Sequence, residues 1–177
     1  MNRREFLAEV AVVALGGVAL GSRPLVEKEA SRPKPISNYT FCATIARADV
    51  PNGNKRIYPR EVLEQAVRVF QADHKKHRSL VGELGLPNEP SIIHFQNASH
   101  VITDLRMQDD YLVAEIEVLD SPCGRVLRTM LETNSEIVAF RTRGVGNGHT
   151  DGGNYIIGES YKLITIDALP VKEAVSI

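Results

Sequence analysis

Residues 111–131 have the sequence YLVAEIEVLDSPCGRVLRTML, which predicts a strand followed at once by a helix. The first half alternates apolar with more polar residues, the period-two pattern of a strand with one wet face. Ser121 and Pro122 then fit an N-cap and the first helical position. The helix carries an apolar stripe of its own, so sheet and helix are expected to share one core. The apolar positions are Leu112, Ala114, Ile116 and Val118 in the strand, and Val126, Leu127, Met130 and Leu131 in the helix.

The rest of the chain contains more predicted strands than helices. A second amphipathic helix is expected to start at Pro59, with Leu63 and Phe70 among its core positions, and to end at the basic stretch around residues 75–78. GNGHTDGG, residues 146–153, lacks the setting of a phosphate loop and predicts a hairpin turn. Further strands are predicted at 39–50, at 92–105 as one or two strands, at 137–142, and as a last pair within 155–169. The fold class is therefore α+β, with an antiparallel sheet or barrel flanked by two helices.

Composition argues against several classes of function. The chain has 177 residues, 21 Lys+Arg against 22 Asp+Glu, and a net charge of −1, which is ordinary for one globular domain. No long basic block indicates a nucleic-acid partner or a membrane surface. Cys42 and Cys123 form no CxxC motif, and His74 and His77 stand among lysines and an arginine that would repel a divalent cation. No metal or cofactor is expected.

Residues 1–35 differ from the remainder and predict a leader plus linker, which leaves 36–177 as the folded domain. Arg3 and Arg4, Phe6-Leu7 and a short apolar run resemble a twin-arginine export signal. The run from residue 10 to 21 is too short to span a bilayer. An amphipathic leader or a trimmed pro-segment explains the pattern equally well. The prolines at 24, 33 and 35 then favour an extended linker.

Four stretches, taken in order, resemble one family of proteins. They are NGNKRIYP at 52–59, GELGLP at 82–87, ASHVI at 98–102 and RTRGVG at 141–146. Together they are similar to the tailed-phage prohead maturation protease family, and the likeness covers roughly residues 39–174. The resemblance implies a fold similar to herpesvirus assemblin, a β-barrel surrounded by helices. It also implies a serine protease that cleaves scaffold and capsid proteins inside an immature head.

The two positions on which the family's chemistry depends are changed in this chain. In that family the last motif usually reads Ser-Ser-Arg-Gly, with the first serine as nucleophile, and the GEL motif ends His-Pro, with the histidine as base. The matching residues here are Arg141 and Leu86. Leucine cannot accept a proton, and a guanidinium is neither nucleophile nor base. Losing both favours a degenerate site, and whether the protein is an enzyme stays open at this point.

The alternative to a degenerate site is an active site with a relocated nucleophile. Thr142 matches the family's second serine and would serve as nucleophile if a one-residue shift or bulge turned it into the cleft. Without that shift, adjacent strand residues face opposite sides, and Thr142 would point away from the position of Arg141. His94 and His100 are the candidate bases, although lone strand histidines are usually structural.

The residues that flank these positions allow both functional and structural interpretations. Arg143 and Gly144 match the family's Arg-Gly, which implies oxyanion stabilisation; alternatively the arginine is solvated and the glycine meets a conformational need. Arg141 beside Arg143 could bind a carboxylate or an acidic peptide. Glu83 is either a carboxylate acid/base or an exposed loop residue, and Asp167 is expected to tie a loop.

Three hypotheses follow for function. The first is an inactive relative that acts as a core, scaffold or peptide-binding component in capsid assembly, with capsid or scaffold proteins as partners in the host cytoplasm and prohead interior. The second is an active protease that uses Thr142. The third is an exported, non-catalytic domain of the same fold, which depends on Arg3 and Arg4. The oligomeric state and the natural substrate do not follow from the sequence.

Overall fold

The computed structural model describes residues 39–74 and 80–171. The predicted leader and linker therefore lie outside the described residues, as does His77, and the boundary at residue 35 stays a prediction. The strands are β1 Tyr39–Arg47, β2 Arg56–Ile57, β3 Leu80–Glu83, β4 Ala98–Gln108, β5 Tyr111–Val118, β6 Val138–Val145, β7 Gly148–Asp151, β8 Asn154–Ile157 and β9 Lys162–Pro170. The α-helices are α1 Arg60–His74 and α2 Pro122–Asn134, and two 3₁₀ turns cover Phe95–Asn97 and Ser135–Ile137.

The strands of the described residues form three sheets. Four antiparallel strands have the order β1-β5-β4-β3, β6 pairs with β9, and the small sheet has the order β2-β8-β7 with β2 and β8 parallel. The first two sheets meet at both edges, through a bridge between Leu84 and Ala168 and through the rings of Phe41 and Phe140, whose centroids lie 5.4 Å apart. The α+β prediction is confirmed. Of the two predicted alternatives, an antiparallel sheet or a barrel, the structure has open sheets.

The predicted core stripes face one another across this arrangement. Leu63 of α1 is completely buried, as are Ile102 of β4, and Leu112 and Ile116 of β5. Burying each such aliphatic side chain contributes about 1.5–3 kcal/mol, which is why the period of the apolar residues decides which face of each element turns inward. The predicted cap of α2 is also present, since Ser121 Oγ accepts a hydrogen bond from Gly124 N at 2.9 Å.

Two predictions about strands were inaccurate. Residues 92–97 form a loop and a 3₁₀ turn, because their backbone groups bond to side chains of β3 and β6 rather than to a neighbouring strand. The last predicted strands do not pair with each other: β8 pairs with β7, and β9 pairs with β6. The glycine-rich segment thus supplies a strand as well as the predicted turn, in which Gly152 and Gly153 adopt positive φ angles of 54° and 79°.

No helix within the described ranges is long and apolar enough to cross a membrane. Over the same ranges, no three His, Cys, Asp or Glu side chains are grouped as metal ligands.

Candidate functional site

A cleft of about 570 Å³ lies between β6, the small sheet and the loop that follows β3. Both departures from the family pattern border it: Leu86 comes from the loop and Arg141 from β6. The strand pairing therefore brings together the two positions that the motif comparison singled out. The residues that line the cleft are Asn54, Arg56, Tyr58, Leu86, Pro87, Pro90, Arg141, Thr142, Arg143, Gly144, Gly146, Tyr155, Ile157 and Tyr161.

Arg141 is half-buried at this cleft and forms no ion pair with a described residue. Burial lowers the pKa of its guanidinium, and the positive charge of Arg56 lowers it further against an opposing effect of Tyr58. Among the described residues, no Asp or Glu lines the cleft to neutralise these two arginines. The position that matches the family's nucleophile in the motif comparison therefore presents positive charge to whatever enters the cleft.

Thr142 borders the same cleft and turns its hydroxyl towards Tyr58. Thr142 Oγ1 donates a hydrogen bond of 3.1 Å to the Tyr58 hydroxyl, and the Tyr58 side chain is buried. The irregularity in the pairing of β6 with β9 falls between Arg143 and Gly144, one step beyond Thr142. Thr142 thus reaches the cleft without a shift at its own position, contrary to the expectation from strand alternation.

His100 lies in the core and does not line the cleft. Its Nε2 is 3.0 Å from the carbonyl of Ile166, which can only accept, so Nε2 carries the proton. Nδ1 then accepts a hydrogen bond from Ser99 Oγ at 2.9 Å. Burial lowers the pKa of His100 to about 4. Both ring nitrogens are engaged, and this geometry does not support His100 as the base for Thr142.

The buried imidazole explains the first glycine of the GELGLP motif. A Cβ on Gly82 would lie 2.1 Å from His100 Nε2 and 2.3 Å from the carbonyl oxygen of Ile166. Contacts that short do not occur, so β3 approaches β4 and β9 closely here because this residue lacks a side chain.

Arg143 is buried rather than solvated, and its guanidinium is already occupied. Nη2 donates to Glu83 Oε1 at 2.9 Å, and Nε lies 2.7 Å from Asp167 Oδ2. Nη1 donates to the carbonyl of Ile92 at 2.7 Å, in the loop that carries Leu86. With these partners in place, the arginine fastens the wall of the cleft to β6 and has little left to offer a developing oxyanion.

Glu83 and Asp167 are the two carboxylates of this buried network. Burial raises the pKa of Glu83, but hydrogen bonds from the His94 backbone and from the Arg143 and Asn97 side chains bring it below its ordinary value. Burial raises the pKa of Asp167 above its ordinary value despite bonds from Glu83 N and Arg143. Glu83 is thus not an exposed loop residue, and Asp167 ties the start of the loop through a 3.0 Å bond to Glu83 N.

His94 belongs to the edge of the same network. Its Nδ1 lies 3.6 Å from Glu83 Oε2, its side chain is 34% exposed, and it does not line the cleft. The structure therefore places neither candidate histidine beside Thr142.

Gly144 and Tyr161 form a close contact. The sequence indicated a conformational need at Gly144 but not the part played by Tyr161. A Cβ on Gly144 would lie 2.4–2.6 Å from three atoms of the Tyr161 ring, so the conformational need at Gly144 is a close approach. Tyr161 closes one side of the cleft, and its ring centroid is 5.6 Å from that of Tyr58. No sequence signal marked Tyr161, because its contacts come from residues far away along the chain.

Comparison with known proteins gives a consistent result. The family model described as prohead core protein serine protease matches residues 8–173. The Arg3–Leu7 stretch of the leader lies outside that match, whereas its apolar run and the linker lie inside. Among curated proteins, the prohead core protein protease of Enterobacteria phage T4 is 27% identical over 126 residues. That alignment covers 70% of this chain and 59% of the T4 protein, so this chain spans less than two thirds of the relative's length.

A solved structure is similar over much of the same region. The bacteriophage T4 capsid assembly protease superposes with a TM-score of 0.66 at 25% sequence identity, covering 73% of this chain and 80% of that one. The arrangement of open antiparallel sheets with two helices is shared with that fold.

Proposed function

The chain belongs to the prohead core protein serine protease family, and we propose that it acts as a catalytically inactive member that binds peptide segments of capsid or scaffold proteins during capsid assembly. This role places the protein in the host cytoplasm and the prohead interior. It follows from the family and from the composition of the cleft.

The observation that carries this proposal is that Leu86 and Arg141 line the same cleft. Acyl transfer by a serine-type protease needs a hydroxyl and a neighbouring group that takes its proton. The lining residues include no His, Asp or Glu, and the hydroxyl of Thr142 is directed to Tyr58. A protein phenol is a poor base near neutral pH, because its conjugate base forms only near pH 10.

What remains is suited to binding. The cleft combines apolar surface from Leu86, Pro87 and Ile157 with the guanidiniums of Arg56 and Arg141, which form no ion pair with a described residue. Extended peptides bind such clefts by apolar contact, and a positive wall favours a segment that carries carboxylates. An anionic stretch of a capsid or scaffold protein is therefore the expected ligand.

The second candidate function is an active protease that uses Thr142. It is favoured by the position of Thr142 at the cleft and by the 3.1 Å hydrogen bond to Tyr58, the nearest group able to relay a proton. The exported alternative rests on Arg3 and Arg4, which lie outside the described residues. Replacing both with lysine and following localisation tests it separately.

Restoring the family's residues provides the sharpest test. Arg141→Ser combined with Leu86→His is expected to create cleavage of the chain itself or of added capsid and scaffold proteins, detected by intact mass. Each single replacement should stay inactive, because nucleophile and base act as a unit. Unaltered protein and Thr142→Ala should both be uncleaved and without activity. Cleavage by the unaltered protein that disappears in Thr142→Ala would replace this proposal with the second candidate.

A further inference from the structure

A smaller cavity of about 100 Å³ adjoins the main cleft, and the two share Arg56, Tyr58, Arg141 and Thr142. Arg47, at the end of β1, also borders the smaller cavity. Arg141, which matches the family's nucleophile position, therefore borders the same small cavity as two further arginines, Arg47 and Arg56. Within the part of the chain that the structure describes, neither cavity is lined by an Asp or a Glu.

None of these arginines forms an ion pair with a described residue, although elsewhere in the described ranges Arg60, Arg106, Arg125 and Arg128 do. The Arg47 guanidinium instead lies 5.5 Å from the centre of the Tyr111 ring. Arg47 and Arg56 are exposed and Arg141 is half-buried, and the positive charge of Arg56 acts unfavourably on the Arg141 guanidinium, which a bound anion would relieve. The local excess contrasts with residues 36–177, where 15 Lys+Arg oppose 18 Asp+Glu.

Hydrogen-bond donors converge on the same place. Tyr161 is 9% exposed and borders the main cleft. Within the described residues its hydroxyl has no hydrogen bond of regular geometry, although it interacts with the nearby hydroxyls of Thr142 and Tyr58. Burial raises that pKa, so the phenol keeps its proton and remains a donor. The buried amide of Asn54, also at the cleft, is likewise without a partner. A buried donor left unpaired is costly, and a bound acceptor would remove that cost.

We propose that Arg56 and Arg141, with Arg47 at the adjoining cavity and the Tyr161 hydroxyl beside them, form an oxyanion-binding site at the position that matches the family's nucleophile. The ligand carries at least two negative charges, because a single carboxylate would leave most of the arginine charge uncompensated. Guanidiniums suit phosphate and carboxylate oxygens equally, so the group comes either from a free phosphate or from two neighbouring carboxylates of a peptide. The peptide source rests on the proposed function, and the phosphate source does not.

Binding of inorganic phosphate tests the site directly. Calorimetric titration of the full chain with phosphate, at constant ionic strength against chloride, should show one site. Arg141→Gln should weaken it by about tenfold or more, and Tyr161→Phe by a similar factor, since hydrogen bonds to a charged group are the strong ones. Arg68→Gln is the matched control, because Arg68 is an exposed arginine on α1 that bonds to Gln65, and it should bind as the unaltered protein does.

A peptide with two adjacent glutamates, and the same peptide with glutamines, separate the two sources. If the glutamate peptide displaces phosphate and the glutamine peptide does not, the site binds a peptide. If phosphate binds and neither peptide displaces it, the site binds free phosphate. Failure of the unaltered protein to bind phosphate or the glutamate peptide overturns the site, as does equal weakening by Arg68→Gln. Thermal unfolding of each variant shows that it is folded. Cleavage of a bound peptide would overturn the proposed inactivity while leaving the site in place.

Discussion

The buried imidazole of His100 should make the stability of the fold fall steeply in mild acid. In the folded chain burial holds its pKa at about 4, against 6.5 for an exposed histidine. Because the pKa is lowered in the folded state, the neutral His100 ring contributes its full share to the free energy of unfolding above pH 6.5. This share is lost as the pH falls towards 4. The complete shift corresponds to about 3 kcal/mol, and between pH 7.5 and pH 4.5 the loss is about 2–3 kcal/mol.

Urea unfolding of the unaltered protein and of His100→Gln at these two pH values measures this loss. Carboxylates titrate in both proteins, so the difference between their two pH-dependent changes isolates the imidazole. We expect the unaltered protein to lose about 2–3 kcal/mol more than the variant, by the same linkage. His149→Gln is the control, because His149 is exposed on β7, and it should keep the full acid sensitivity.

The reasoning is refuted if His100→Gln loses as much free energy of unfolding in acid as the unaltered protein. Should the variant fail to fold, NMR titration of the His100 ring in the unaltered protein gives the same answer. A midpoint near 6.5 in that titration would show that the ring is not held neutral by burial between Ser99 and the Ile166 carbonyl.

Three further predictions concern packing and capping. Arg143→Met should destabilise the fold by about 3–5 kcal/mol, because it leaves two buried carboxylates unpaired, and hydrogen exchange should show faster opening of residues 85–94; unchanged exchange there would contradict its role in fastening the loop. Gly82→Ala should cost about 3 kcal/mol or more in thermal or urea unfolding, since the new Cβ would overlap His100, and a variant of unaltered stability would show that β3 does not approach so closely. Ser121→Ala should cost about 1 kcal/mol through loss of the α2 cap, whereas Ser121→Thr should retain most of the cap because its hydroxyl can accept from Gly124 N and donate to the Ala98 carbonyl; equal losses in the two variants would argue against a cap.

Local patterns in the sequence were sufficient for most elements of the fold. The alternation in β5 and the Ser-Pro start of α2 identify their elements because burial of one face sets a period that is visible within a few residues. The prediction of a strand from residue 92 was wrong for residues 92–97, because the contacts that decide this segment are not local. Its backbone partners are side chains of Glu83 and Arg143, 11 and 51 positions away, and no local period reports them.

The candidate site shows the same division. Motif order predicted that Leu86 and Arg141 stand at the family's base and nucleophile positions, and the structure places both at one cleft. Motif order could not show that Arg143 is occupied by Glu83 and Asp167. Those three residues are far apart in sequence, and each by itself is typical of an exposed charge.

The sequence by itself determined the fold class and the family, and it predicted that Arg141 and Leu86 replace the usual nucleophile and base, because each of these inferences depends on residue identity and on short-range order along the chain. Only the tertiary structure decided which charges are neutralised. The pairing of β6 with β9 and the path of the loop after β3 bury Arg143 between two carboxylates, while Arg141, two residues away, has no carboxylate partner among the described residues. Whether a charge fastens the fold or remains available to a ligand depends on distances across the core, and these distances exist only once the chain has folded.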